Sequence, residues 1–124
     1  MVRLALARGS HPVHAHEIAD FGDIPRKFVE QVMHDLRQAG IVTSRRGRTG
    51  GYELARDAGD ITFADVVEAV EGPFNGGFVR NGAEADRIIQ PVWDRVRREA
   101  WDVLCTMSVG EAAASAAASP MYYI

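Results

Sequence analysis

Seven residues near the middle of the chain limit its possible folds more than any other stretch: Arg45-Arg46-Gly47-Arg48-Thr49-Gly50-Gly51, three arginines and three glycines. A polar–apolar alternation, Tyr52-Glu53-Leu54-Ala55, follows, and Ile41-Val42-Thr43-Ser44 reads as a short strand before it. Two strands around a glycine-rich turn make a hairpin with a basic tip. Glycine frees the backbone from its usual φ restriction, so the tip can turn tightly or lie close to a partner. Guanidinium groups on such a tip suit a phosphate backbone or a narrow minor groove.

Upstream, Pro25 to Ala39 carries a 3.6-residue period. Phe28, Val29, Val32, Met33, Leu36 and Ala39 mark its buried face; Arg26, Lys27, Glu30, Gln31, His34 and Arg37 occupy the rest. Pro25 suits the first turn, whose amide has no intrahelical partner to lose, and Gly40 is placed as a left-handed cap. Before it, His14 to Phe21 gives a shorter helix with Ile18 and Ala19 inward and Gly22-Asp23 as the turn. Val2 to Arg8 makes an opening helix of barely two turns, which looks cut short. Helix, turn, helix, basic hairpin is the order of a winged helix-turn-helix.

Beyond the hairpin, Thr62 and Asp65 form a capping box, with Ile61 stapling against Val66, and Gly72-Pro73 ends the helix. A second long helix is expected from about Gln90, with Pro91 in its first turn. Ile89, Trp93, Val96, Ala100, Val103 and Met107 recur at spacings of four, three, four, three and four. That is the seam of a helix packing along another helix, either in a second copy of the chain or in its own domain. Ser108 and Glu111 form another box opening a short final helix. The expected fold is mainly α with a small β-hairpin wing (α+β): a winged helix-turn-helix over 1–72, a flexible loop over 73–89, a dimerisation helix and short C-terminal helix over 90–114, and a disordered Ala/Ser-rich tail over 115–124.

The net charge of −3 hides a division: residues 1–56 carry nine Arg/Lys against six Asp/Glu, and residues 57–124 carry five against eleven. A basic first half and acidic second half suggest a DNA-facing module joined to something that does not face DNA. The preponderance of arginine, thirteen to one lysine, reflects genome composition more than function. The one cysteine, Cys105, cannot form an internal disulfide, and no apolar run spans a bilayer, so the expected location is cytoplasmic with no membrane partner. No phosphate-binding loop, nucleophile elbow or helical metalloprotease motif is present, which argues against an enzyme. His11, His14 and His16 are close in sequence, but no cysteine or carboxylate cluster completes a metal site, and surface histidines are the expectation. Cys105 reads either as a small packed hydrophobe or as a redox-sensitive thiol.

The chain resembles the IscR/NsrR/CymR-type winged-helix transcriptional regulators of bacteria. Glu17-Ile18-Ala19, Ile24-Pro25-Arg26-Lys27-Phe28-Val29-Glu30-Gln31, Leu36 to Val42, and Arg46-Gly47-x-x-Gly50-Gly51-Tyr52-x-Leu54-Ala55 carry the resemblance. It continues through Ile61-Thr62, Asp65-Val66-Val67, Glu71-Gly72-Pro73 and Pro91-Val92-Trp93, covering roughly residues 4 to 112 in register. The resemblance implies a homodimer on a dyad-symmetric operator, usually as a repressor. Carried over by position, Pro25, Arg26, Lys27, Glu30 and Gln31 lie at the groove-facing start of the recognition helix, and Arg46, Gly47, Arg48 and Thr49 form the wing tip.

By their own chemistry, Arg26 and Lys27 suit phosphates or guanine edges, Glu30 a cytosine amino group and Gln31 an adenine. Glu30 is alternatively a surface ion-pair partner of Lys27 or His34, and Arg45, Arg46 and Arg48 a solvated turn. The best-known relatives hold an iron–sulfur cluster with three cysteines before the long helix; the corresponding stretch here, 74–90, has none, so no such cofactor is expected. Two other readings stand beside the regulator: a winged-helix interaction module that has lost DNA binding, and a regulator sensing a small molecule near Phe74, Phe78 and Trp93.

Overall fold

The computed structural model describes residues 1–7, 11–48, 50–73 and 84–118. Six helices and one hairpin follow in order: α1 (Val2–Leu6), α2 (Ala15–Gly22), α3 (Arg26–Gln38), β1 (Val42–Arg45), β2 (Gly51–Leu54), a 3-10 turn (Ala58–Asp60), α4 (Phe63–Glu71), α5 (Glu84–Thr106) and α6 (Val109–Ala118).

Local chemistry sets most of these boundaries. At α2, the His14 backbone N–H donates to Glu17 Oε2 at 2.7 Å, half of a capping box. The turn that follows places Asp23 at φ 50 and ψ 50, a left-handed position that aspartate tolerates. Helix α3 ends in a Schellman motif: the Gly40 N–H donates to the Arg37 carbonyl and the Ile41 N–H to the Leu36 carbonyl, both at 3.0 Å. Gly40 takes φ 73 there, and the buried pair Leu36 and Ile41 seals the motif. Because Ile41 belongs to this cap, β1 begins one residue later than the sequence pattern suggests. At α4, Thr62 Oγ1 accepts from the Asp65 N–H at 3.1 Å while the Thr62 N–H donates to Asp65 Oδ2 at 3.0 Å. Ser108 and Glu111 repeat the arrangement at α6.

The hairpin is antiparallel, pairing Val42 with Leu54 and Arg45 with Gly51. Val13 adds a third line of pairing through reciprocal backbone bonds with Tyr52 at 2.8 and 2.9 Å. A side chain at Gly51 would meet the Val13 carbonyl oxygen at 2.7 Å, and one at Gly50 the Arg45 carbonyl oxygen at 2.2 Å. Close backbone approach, as well as turning, therefore requires these two glycines.

Leu4, Val13, Val29, Met33, Leu36, Ile41, Val42, Ile61 and Val109 form one continuous core. The final helix is part of it: the Val109 N–H donates to the Ile61 carbonyl at 2.8 Å, and α6 packs on α1 and on the 3-10 turn. Helix α5 leaves this core, packs against α4 and returns the chain to it.

Four expectations are corrected. The long helix begins at Glu84, within the stretch assigned to a loop over 73–89, and Pro91 lies inside it; a proline removes one helical hydrogen bond and need not end a helix flanked by good formers. Helix α6 continues to Ala118, past the tail boundary at 115, because alanine has the highest helix propensity and Ala113 is buried. On α3, Phe28 and Ala39 are exposed where the periodicity placed them inward. Cys105 is exposed, so it is not packed as a hydrophobe within its own chain. Thr49 and most of the expected loop, with Phe74 and Phe78, lie outside the described residues.

Candidate nucleic-acid interface

Pro25 is the N-cap of α3 in an extended conformation, and its carbonyl accepts from the Phe28 and Val29 amides at 3.1 Å. Arg26, Lys27, Glu30 and Gln31 then stand on the first two turns, all exposed, as Val29, Met33 and Leu36 turn inward. Arg26 Nε lies 3.3 Å from Glu30 Oε1, so the partner of Glu30 is Arg26 and not Lys27 or His34. Gln31 Nε2 donates to Asp35 Oδ1 at 3.3 Å. Both contacts are solvent-exposed, cost little to exchange, and leave these side chains available to a ligand.

On the hairpin, Arg45 is a strand residue and not part of the tip: it pairs with Gly51 in the ladder, and its Nε lies 3.4 Å from Glu53 Oε2. The turn proper presents Arg46, Gly47 and Arg48, closed by a hydrogen bond from the Gly50 N–H to the Gly47 carbonyl at 3.0 Å. Among the described residues, Lys27, Arg46 and Arg48 have no ion-pair partner. One contact went unnoticed in the sequence: Arg37 Nη1 donates to Ser44 Oγ at 3.1 Å, tying the exposed side of α3 to β1. An Arg/Ser pair separated by a capped turn carries no pattern that would single it out.

At the start of α2, His11 Nε2 lies 3.7 Å from Glu17 Oε1, and the rings of His14 and His16 stack at 5.5 Å. The backbone hydrogen bond from His14, helped by the charges of His11 and Arg3, holds the Glu17 carboxyl below its ordinary pKa. Stacked imidazoles do not converge on a common ion, and among the described residues no group of three metal-ligating side chains occurs.

On α5, Ile89, Trp93, Val96 and Val103 are exposed and Ala100 is half-buried, and Met107, one residue past its end, is exposed. The flanks are polar and internally paired, with Arg95 on Glu99 at 2.9 Å, Gln90 on Asp94 at 2.8 Å, and Arg97 on Asp94. An open groove of about 580 Å³ between α4 and α5 is lined by Glu68, Pro73, Asp94, Arg97, Arg98 and Trp101. Its walls are largely charged. No described helix is long and apolar enough to cross a membrane.

The family model for Rrf2, described as an iron-dependent transcriptional regulator, matches residues 1–115. The chain belongs to the Rrf2 family of transcriptional regulators. CymR of Bacillus subtilis is 33% identical over 104 residues, which cover 84% of this chain and 74% of that protein. Its solved structure, described as that of the global cysteine regulator of B. subtilis, superposes with a TM-score of 0.75 at 30% identity, covering 92% of this chain and 87% of that one. IscR of Cereibacter sphaeroides is 40% identical over 85 residues, 67% of this chain but only 55% of that protein. The T. potens IscR structure gives a TM-score of 0.75 at 29% identity over 99% of this chain and 87% of that one. These Rrf2 relatives are transcriptional regulators and not enzymes, and they place a winged-helix, DNA-binding regulatory fold here.

The family description speaks of iron. The donor set of this chain does not suit a cluster held by three cysteines, because it has one cysteine, exposed on the far half of α5.

Proposed function

We propose that this Rrf2 protein is a cytoplasmic, sequence-specific repressor that binds a dyad-symmetric operator as a homodimer. The observation that carries this reading is that the first turns of α3 and the hairpin turn present exposed cations, Lys27, Arg46 and Arg48, that have no ion-pair partner among the described residues, in a chain whose net charge is −3. A phosphate backbone supplies the missing counter-charge, and Glu30 and Gln31 are then presented to base edges in the major groove. The wing arginines suit the neighbouring minor groove. Exposure of Val96 at 42% and Val103 at 54% leaves the α5 seam suited to the same helix of a second copy, which would set two recognition helices on two half-sites. No three-thiolate cluster enters the reading, so its signal is of another kind.

Fluorescence-anisotropy titration on DNA from upstream of its own gene, beside a scrambled duplex at low and near-physiological salt, tests the proposal. Selective binding that survives the higher salt is the expected result. Weak, equal binding to both duplexes, also seen with other candidate operators, would leave an interaction module as the better reading.

A further inference from the structure

Phe28 is the most conspicuous misfit in the recognition helix. It sits in the first turn of α3, yet 57% of its surface is exposed. Phe21 at 55% and Ile24 at 37% are exposed around the same turn, so the apolar surface is concentrated at the α2–α3 corner. The core beneath is already closed by Val29, Met33 and Leu36, and the seam suited to a second copy lies on a different element, α5.

Helical side chains lean toward the helix N-terminus, so the Phe28 ring covers the turn that leads into α3. In a helix-turn-helix that end of the recognition helix meets the base edges. Lys27 precedes Phe28 and Gln31 follows one turn later on the same flank, whereas Arg26 lies across the helix and pairs with Glu30. An apolar ring beside an unpaired lysine calls for a polyanion that itself offers a small apolar group at groove depth. In the major groove the base edges present one such group, the 5-methyl of thymine.

We propose that Phe28 is a specificity-determining residue that reads a thymine 5-methyl group in the major groove, beside the base contacted by Gln31. The inference rests on the DNA-binding reading above and adds to it an apolar contact that hydrogen-bond donors and acceptors do not supply.

The experiment begins by selecting a preferred duplex from a random library with the wild-type protein. Each thymine is then replaced singly by deoxyuridine, which removes the methyl and keeps the pairing edge. At one position in each half-site, the substitution should weaken wild-type binding about fourfold, the value of burying one methyl-sized group. Phe28→Ala should bind the thymine duplex more weakly and no longer distinguish it from its deoxyuridine form. Wild-type protein indifferent to every replacement overturns the proposal, and that arm needs no variant. So does Phe28→Ala retaining the discrimination, or changing self-association in sedimentation without changing it. Failure of the selection to yield any preferred duplex would overturn the DNA-binding reading itself, a result distinct from selective binding that ignores the methyl groups.

Discussion

Arg46 and Gln31 represent two ways in which a side chain meets a duplex, and they separate in experiment. Arg46 stands on the hairpin turn without an ion-pair partner among the described residues, where on the proposed reading it would neutralise a phosphate whatever the sequence. Arg46→Ala should therefore weaken binding to all duplexes alike and make the salt dependence shallower by about one counterion. Gln31, on the same reading, would give up its exposed bond to Asp35 in exchange for a base edge. Gln31→Ala should cost about 1–3 kcal/mol at one base position and relax preference there. Titrations across a salt series on the selected duplex and its single-base variants check both. Affinity and preference unchanged in both variants would mean that these residues are wrongly placed. At this scale the sequence was a good guide to residue type and a poor one to residue role. Periodicity assigned Phe28 to the interior because a helix flank reads as apolar whether it meets a core or a ligand.

Among the elements, the capped ends were legible because a cap is a contact between residues three or four apart. Thr62 with Asp65, Ser108 with Glu111, and Gly40 after α3 all formed as their spacing suggests. The cap of α2 has a consequence for acid stability. Its Glu17 carboxylate accepts the His14 N–H, so its folded pKa lies below the ordinary value of 4.5. The unfolded chain then binds the proton more readily. The resulting stabilisation is fully present above pH 4.5 and is lost as pH falls through the depressed folded value. Glu17→Gln keeps an acceptor but removes the charge. It should melt a few degrees below the wild type at neutral pH, with the gap closing in acid below pH 4.5. A gap of constant size across a thermal-denaturation series from neutral to pH 3 would place the stabilisation elsewhere.

At the scale of the molecule, the chain does not divide where its composition divides. The basic N-terminal unit and the acidic C-terminal part share one core, because α6 packs on α1 and Val109 bonds to Ile61. Helix α5 is thereby anchored at its far end to the body that carries the recognition helix and the wing. If the seam holds two copies together, Val96→Glu buries a carboxylate against apolar side chains and should dissociate the dimer. Sedimentation velocity would show the single-chain species. Binding to a two-half-site duplex would fall far more than binding to a single half-site. A variant that still sediments as a dimer would exclude this stretch of α5 from the interface.

By itself the sequence determined the order of elements, the helix caps, the basic glycine turn and the apolar spacing along α5, since each is written in neighbouring residues or in a regular spacing. Tertiary structure alone decided the rest. Arg45 joins a strand because Gly51 pairs with it, and Gly50 and Gly51 are required by the approach of Arg45 and Val13 backbones. The last helix belongs to the first helix's core, a contact between residues about a hundred positions apart that no local pattern encodes. Packing chooses which apolar residues are enclosed and which, like Phe28, are left at the surface.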